Sequence, residues 1–298
     1  MTPYDVIIIG TGPAGLAAGI QARHMGLKVL LVEKYRPGGR LLSARQVENF
    51  PLVDGIRKVA GRSIANALIR QALRKGLNIL KGDCTRIDSH QGIFNLTVDR
   101  KTLKARAVVI ATGVEPKAIK QPGWEAALES PRLRYYWRDL PMKLSGKRVF
   151  VLGGGEVAFD QACSLAERRA QVTVFIRGCH PKAFLKLVKE AEELGVRTLT
   201  KARIKGCAPF PRGLLVFLQT GEREGEKVFD FGLIAIGASP QRPSLSEEAR
   251  RRTGRGLYFA GDVSNRSYRQ AAIAFGDGVK KAMMAYDYLR SRRVRAEI

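Results

Sequence analysis

The stretch that most limits what this chain can become is Tyr4 to Glu33, YDVIIIGTGPAGLAAGIQARHMGLKVLLVE. Val6 to Ile9 are consecutive β-branched residues with no polar alternation, the pattern of a strand covered on both faces in a parallel sheet. A glycine turn follows at once: Gly10, Gly12 and Gly15 form G-x-G-x-x-G, with Pro13 and Ala14 inside it. The first glycine permits the tight turn, the second admits a pyrophosphate to the backbone, and the third lets the next helix pack on the strand. That helix, predicted from Leu16 to Met25, starts where phosphates would sit, so its unpaired N–H groups and dipole favour negative charge there. Gly26 ends it, and Lys28 to Val32 reads as a second buried strand closing on Glu33. A carboxylate at that point accepts from a ribose 2′-hydroxyl and repels a 2′-phosphate. A lone G-x-G-x-x-G is common. Strand, glycines, helix, second strand and terminal acid in this order specify a dinucleotide site.

A second copy begins at Arg148 to Leu152, again a buried strand. Gly153, Gly154, Gly155, Glu156, Val157 and Ala158 give G-x-G-x-x-A, followed by an alanine-containing helix to Arg169 and a strand from Val172 to Ile176. Two such sites in one chain suit hydride transfer between a nicotinamide and a flavin. In this copy Ile176 stands where Glu33 stood, and Arg177 follows. No acid is present to take a free 2′-hydroxyl.

The loop after Glu33 carries Gly38, Gly39, Arg40 and Leu41, then Val47, Glu48, Asn49, Phe50 and Pro51. It resembles the thioredoxin reductase family of flavoproteins, within the FAD- and NAD(P)-dependent pyridine nucleotide-disulfide oxidoreductases, whose members carry G-G-Q-L and V-E-N-[FWY]-P here. The resemblance covers nearly the whole chain. It implies an α/β fold of two Rossmann-like, three-layer dinucleotide-binding domains, the nicotinamide domain (residues 116–241) inserted in the FAD domain (1–115 and 242–298). By the same resemblance Gly39, Arg40, Leu41 and Asn49 approach the flavin ring, the backbone at Cys84 touches adenine, and Thr112 and Gly113 belong to an A-T-G signature. As a thiol, Cys84 reads as a small strand residue. Gly261 and Asp262 lie in GLYFAGD, where the Asp262 carboxylate accepts from the ribityl chain or caps the following helix. Arg269, Gln270 and Ala271 match R-Q-A, which offers helix N-terminal amides to the flavin.

On the nicotinamide side the resemblance assigns Ile236 and Gly237 of LIAIG to the end of the domain. The family's H-R-R-x-x-x-R, which holds the 2′-phosphate of NADPH, is matched at Arg177 and Lys182, with Gly178 at the remaining cation position. The expected cofactors are FAD and NADPH, with NADH second. The plain alternative is that both cations flank an exposed turn.

Two departures stand out. Where the family carries the C-A-T-C-D dithiol, this chain reads Arg134 to Pro141, RYYWRDLP, with Tyr136 and Asp139 at the cysteine positions. The four cysteines, Cys84, Cys163, Cys179 and Cys207, contain no C-x-x-C, so no neighbouring sulfur can store an electron pair as a disulfide. Their spacing also disfavours a zinc site or an iron–sulfur cluster, and no metal is expected. The aromatic cluster Tyr135, Tyr136 and Trp137 suits either stacking on the flavin or interdomain packing. The second departure is QRPSLSEEARRRT, a short charged segment where the family has another strand or two.

The net charge of +25 and pI near 10.4 point outward, to an acidic partner. Together these features predict an enzyme moving electrons from NAD(P)H through flavin to a non-disulfide acceptor such as an acidic ferredoxin or flavodoxin. The alternatives are a quinone reductase at an anionic membrane surface, or a flavin-binding module with little turnover. Nucleic acid is disfavoured because no reading element is present. No run approaches the roughly 18 to 20 apolar residues of a membrane span, so the expected location is cytoplasmic. The resemblance adds a homodimer.

Overall fold

The computed structural model describes residues 2–50, 59–265 and 268–297. Pro51 of the V-E-N-F-P motif lies outside them. The chain forms two units, Met1–Glu115 with Pro240–Ile298, and Pro116–Ser239.

In chain order, β1 (Tyr4–Ile9), α1 (Pro13–His24), β2 (Val29–Glu33), α2 (Gly61–Arg74) and β3 (Asn78–Lys81) precede an antiparallel meander, β4 (Cys84–His90), β5 (Ile93–Val98) and β6 (Lys101–Ile110). The chain leaves through β7 (Val114–Pro116) and builds α3 (Glu125–Glu129), β8 (Leu133–Arg134), β9 (Arg148–Leu152), α4 (Glu156–Ala166), β10 (Gln171–Phe175), α5 (Leu185–Glu193) and β11 (Arg197–Leu199). A second meander, β12 (Ala202–Phe210), β13 (Gly213–Thr220) and β14 (Arg223–Phe229), leads to β15 (Phe231–Ile234) and out through β16 (Ala238–Pro240). The first unit is completed by β17 (Ser244–Leu245), α6 (Glu247–Arg251), β18 (Leu257–Phe259) and α7 (Ala271–Glu297).

The two units repeat one plan. Parallel strands run β3-β2-β1-β6 with β18 on β6 in the first, and β11-β10-β9-β15-β8 in the second. The strand leading into each glycine turn therefore has a parallel neighbour on both sides, Ile9 opposite Val32 and Ile110, and Leu152 opposite Phe175 and Ile234.

Why these strands are apolar throughout follows from their layers. On β1, Val6 and Ile8 join the core beneath α1, α2 and α7, whereas Ile7 and Ile9 join the core beneath the meander. The period of two along a strand sends successive side chains to opposite faces, and here each face is dry. Each fully buried Ile contributes about 1.5–3 kcal/mol. In the second unit Val149 and Val151 face α4 and α5, while Phe150 faces its meander and meets Phe175 and Phe229 edge-on.

Two segments are more ordered than their sequence suggests. Residues 202–229 form a three-stranded antiparallel sheet with strands up to nine residues long. The charged segment 241–253 contributes an edge strand, β17 beside β4, and the short helix α6, whose cap Ser246 accepts from Ala249 N at 3.2 Å. Among the described residues, no helix is long and apolar enough to cross a membrane.

Candidate functional site

In the first glycine turn each glycine does a different job. A Cβ on Gly10, whose φ is +94°, would lie 2.4 Å from Ala111 O, and one on Gly15 would lie 1.8 Å from Gly10 O. Both are packing constraints. Around Gly12 a Cβ would meet nothing within 4 Å. Gly12 is also the N-cap of α1 and supplies no capping side chain, while Pro13 opens the helix. The turn therefore leaves open space in front of helix amides that lack intrahelical partners, the arrangement that takes a phosphate. Two further close approaches fix Ala14: a Cβ on Gly278 would come 2.1 Å from Ala14 O, and one on Gly261 2.8 Å from Ala14 Cβ.

Glu33 is held by the turn it serves. Its Oε2 accepts from Thr11 N at 2.8 Å and from Thr11 Oγ1 at 2.5 Å, and its Oε1 accepts from Tyr35 N at 2.8 Å. Thr11 is fully buried. A carboxylate has about four acceptor positions, so this geometry keeps one on Oε1 for a hydroxyl.

The other flavin-side residues of the first unit converge in pairs. Gly38 N donates to Thr11 O, which lays the Gly39–Arg40–Leu41 turn over Gly12. Arg40 ion-pairs with Asp262 at 3.8 Å. Burial pushes the Asp262 carboxyl up from its ordinary value, opposed by the Arg40 and Arg269 guanidiniums. Asp262 sits in a 3-10 turn well before α7 and does not cap that helix, so the capping alternative falls. Asn49 Nδ2 donates to Gln270 Oε1 at 2.7 Å, joining the V-E-N-F and R-Q-A segments. Helix α7 begins at Ala271, with Gln270 O accepting from Ala274 N. Thr112 Oγ1 donates to Gln241 O, and Gly113 O accepts from Gln241 N. Gln46 Oε1 and Asn265 Nδ2 are buried without partners among the described residues. Buried polar atoms are ordinarily paired, and a ligand is one way to satisfy these two. An uncapped helix end, a ribose acceptor and unpaired buried polar atoms on the same unit fit FAD.

The second turn copies the first. A Cβ on Gly153 (φ +147°) would lie 2.3 Å from Ala235 O, and one on Gly155 would meet nothing within 4 Å. Gly155 caps α4 without a side chain, and Glu156 opens the helix. Val157 and Ile236 are exposed, and Gly237 has φ +107°. At the specificity end Ile176 is buried against Gly154, and Gly154 O accepts from Lys182 N and Ala183 N. The cation loop is thereby folded onto the glycine turn. Arg177 and Lys182 are both exposed, with no ion pair among the described residues.

The segment carrying Tyr136 and Asp139 is fastened to its own unit. Gln161, a buried polar side chain of α4, accepts from Trp137 N at 2.9 Å and donates to Tyr135 O at 3.1 Å. Arg168 stacks 3.8 Å from the Trp137 ring centroid, and Arg138 lies over Tyr136. Trp137 packs on the α4 core and Tyr135 on the meander core. Trp137 and Tyr135 thus pack within the second unit. Sequence reasoning missed Gln161, although a glutamine on an otherwise apolar helix face is the available signal.

None of the four cysteines is in a disulfide, and only Cys179 is exposed. Cys84 opens β4, and burial pushes its thiol and that of Cys207 up to about 12. A thiol at that value has almost no thiolate at neutral pH, and thiolate is the reactive form. A disulfide-exchange reagent is therefore expected to label one thiol rapidly in the native protein and four in denaturant. Two fast thiols under native conditions would contradict this assignment.

The pyridine nucleotide-disulphide oxidoreductase family model matches residues 4–285. The thioredoxin reductase of Bacillus subtilis is 29% identical over 308 residues, covering 96% of this chain and 95% of its own. The crystal structure of the T. acidophilum thioredoxin reductase superposes with a TM-score of 0.86 at 26% identity, covering 96% of this chain and 99% of its own. That of the Lactococcus lactis enzyme gives 0.87 at 24%, covering 97% and 99%, a likeness of fold. With two glycine turns of matching geometry on two Rossmann-like units, the chain belongs to the pyridine nucleotide-disulphide oxidoreductases and is a thioredoxin reductase-like flavoprotein, of a family that binds FAD and uses NADPH.

Proposed function

We propose that this protein is an NAD(P)H-dependent flavoprotein oxidoreductase that passes electrons to an acceptor other than a disulfide. The observation carrying this reading is the RYYWRDLP segment, in which Tyr136 and Asp139 occupy the dithiol positions and Gln161 holds the backbone still. When bound, FAD would supply the redox chemistry, exchange of a hydride or of single electrons, that the side chains here cannot perform.

The chain's own residues bind and orient. The α1 amides behind Gly12 would hold the FAD pyrophosphate, and Glu33, aimed by Thr11 and Tyr35, would accept from a ribose hydroxyl. The α7 amides from Ala271 onward would favour negative charge on a flavin held at that helix end. In the second unit the α4 amides hold the nicotinamide pyrophosphate, with Arg177 and Lys182 meeting the 2′-phosphate.

The acceptor that best fits the +25 charge is an acidic one-electron carrier of the ferredoxin or flavodoxin kind. Reduction of an acidic ferredoxin should fall at least ~5-fold as salt rises across the range where the Debye length shrinks from ~30 Å to below ~8 Å. A rate indifferent to salt, or one obtained only with a quinone in anionic liposomes, would remove the carrier reading.

A further inference from the structure

On the first unit two arginines meet on one phenol. Arg252, just after α6, donates through Nη2 to Tyr288 Oη, and Arg292 Nη1 donates to the same oxygen at 3.2 Å and to Gly92 O at 3.2 Å. Both guanidiniums also sit near ring faces, Arg252 at 5.0 Å from Phe94 and 5.9 Å from Tyr288, Arg292 at 6.0 Å from Tyr288. The backbone makes room for this. Gly256 has φ +102°, and a Cβ there would lie 2.8 Å from the Tyr288 ring; Gly92 has φ +82°, and a Cβ there would lie 2.4 Å from Arg292 Nη1.

Among the described residues, no carboxylate ion-pairs with either guanidinium. Like charges brought together repel, and folded proteins ordinarily place a carboxylate between them. Of the acids on the same elements, Glu247 pairs with Arg251, and neither Glu248 nor Asp287 ion-pairs with Arg252 or Arg292. Arg252 Nε is buried without a partner. Arg252 Nη1, Arg292 Nη2 and the Tyr288 hydroxyl proton have no acceptor among the described residues. The phenol oxygen already accepts twice, so its own proton is left to donate elsewhere.

Four unpartnered donors, two positive charges and no acceptor among the described residues call for an oxyanion with several oxygens and about two charges. We propose that Arg252, Arg292 and Tyr288 form an anion site for a phosphate-class group. It stands apart from the first glycine turn: α7 meets that turn at Gly278, and Tyr288 lies ten residues further along the helix, roughly 15 Å at ~1.5 Å per residue. A phosphate-bearing molecule held there is bound in addition to the nucleotides.

The test is calorimetric titration of the full, FAD-loaded chain with inorganic phosphate at low salt. Saturable binding is expected, weakened at least ~10-fold by Arg292→Gln and about threefold by Tyr288→Phe. Arg290→Gln, an exposed arginine of the same helix outside the cluster, should change it less than ~2-fold. Should Arg292→Gln fail to fold, Tyr288→Phe carries the test, since it keeps both arginines. Sedimentation with phosphatidic acid vesicles identifies the source: vesicle binding lost in Arg292→Gln assigns the site to a lipid phosphate, and vesicle binding unaffected by it assigns the site to soluble phosphates. Absence of saturable phosphate binding, or equal weakening by Arg292→Gln and Arg290→Gln, would overturn the site.

Discussion

Gly12→Val should give a folded protein that no longer retains FAD, whereas Gly15→Ala should damage the fold itself. The two glycines share one motif but not one reason for being glycine. Gly12 has φ −69°, open to any residue, and its missing Cβ faces empty space before the α1 amides. Valine there fills the volume a pyrophosphate needs, and its Cβ meets no protein atom within 4 Å. FAD affinity should fall at least ~100-fold while unfolding free energy changes by less than about 1 kcal/mol, as for substitutions that break no packing. At Gly15 the added carbon would sit 1.8 Å from Gly10 O, so backbone must move, at a cost of about 3 kcal/mol or more. Flavin absorbance after gel filtration and thermal unfolding separate the two. A yellow Gly12→Val protein would show that the dinucleotide does not sit at this turn.

The second large effect concerns the nicotinamide. Arg177→Ala combined with Lys182→Ala should raise KM for NADPH roughly 20-fold and leave that for NADH within about twofold. Both side chains are exposed, so each phosphate contact is discounted to about 1 kcal/mol, close to fivefold. The sign follows from chemistry: NADH has no 2′-phosphate, and Ile176 offers its ribose no acceptor. Parallel changes in the two KM values would mean that the pair only flanks an exposed turn.

Much of this arrangement was readable from residues because the nucleotide strands are local and dry. Val6–Ile9 and Arg148–Leu152 are unambiguous, and the glycines punctuate them. The end of β2 at Glu33 is likewise a local fact. Other features depend on partners distant in sequence. That β18 lies beside β6 is fixed by packing between residues some 150 positions apart, which no window reveals. The β12–β14 sheet was obscured because β14 is almost wholly exposed and reads as polar, and because a register shift between Ile204 and Gly206 breaks the alternation of β12. Helix α6 is too short for periodicity, yet Ser246 followed by Glu247 and Glu248 is a legible start signal.

At the site, the assignment of Glu33 was readable but its orientation by Thr11 was not, since any residue can occupy that place in the motif. Arg40 stood out as a departure from Gln, and its pairing with Asp262 emerged only from the fold. The close approach of Gly278 in α7 to Ala14 likewise joins residues far apart in sequence.

The most direct test is an anaerobic titration of the purified holoprotein with NADPH, followed at the flavin absorbance and completed with dithionite. With a flavin and no second redox couple, bleaching should be complete near one NADPH per FAD, two electrons in all, with dithionite adding no more. Flavin that does not bleach, or uptake approaching four electrons per FAD, would contradict the account.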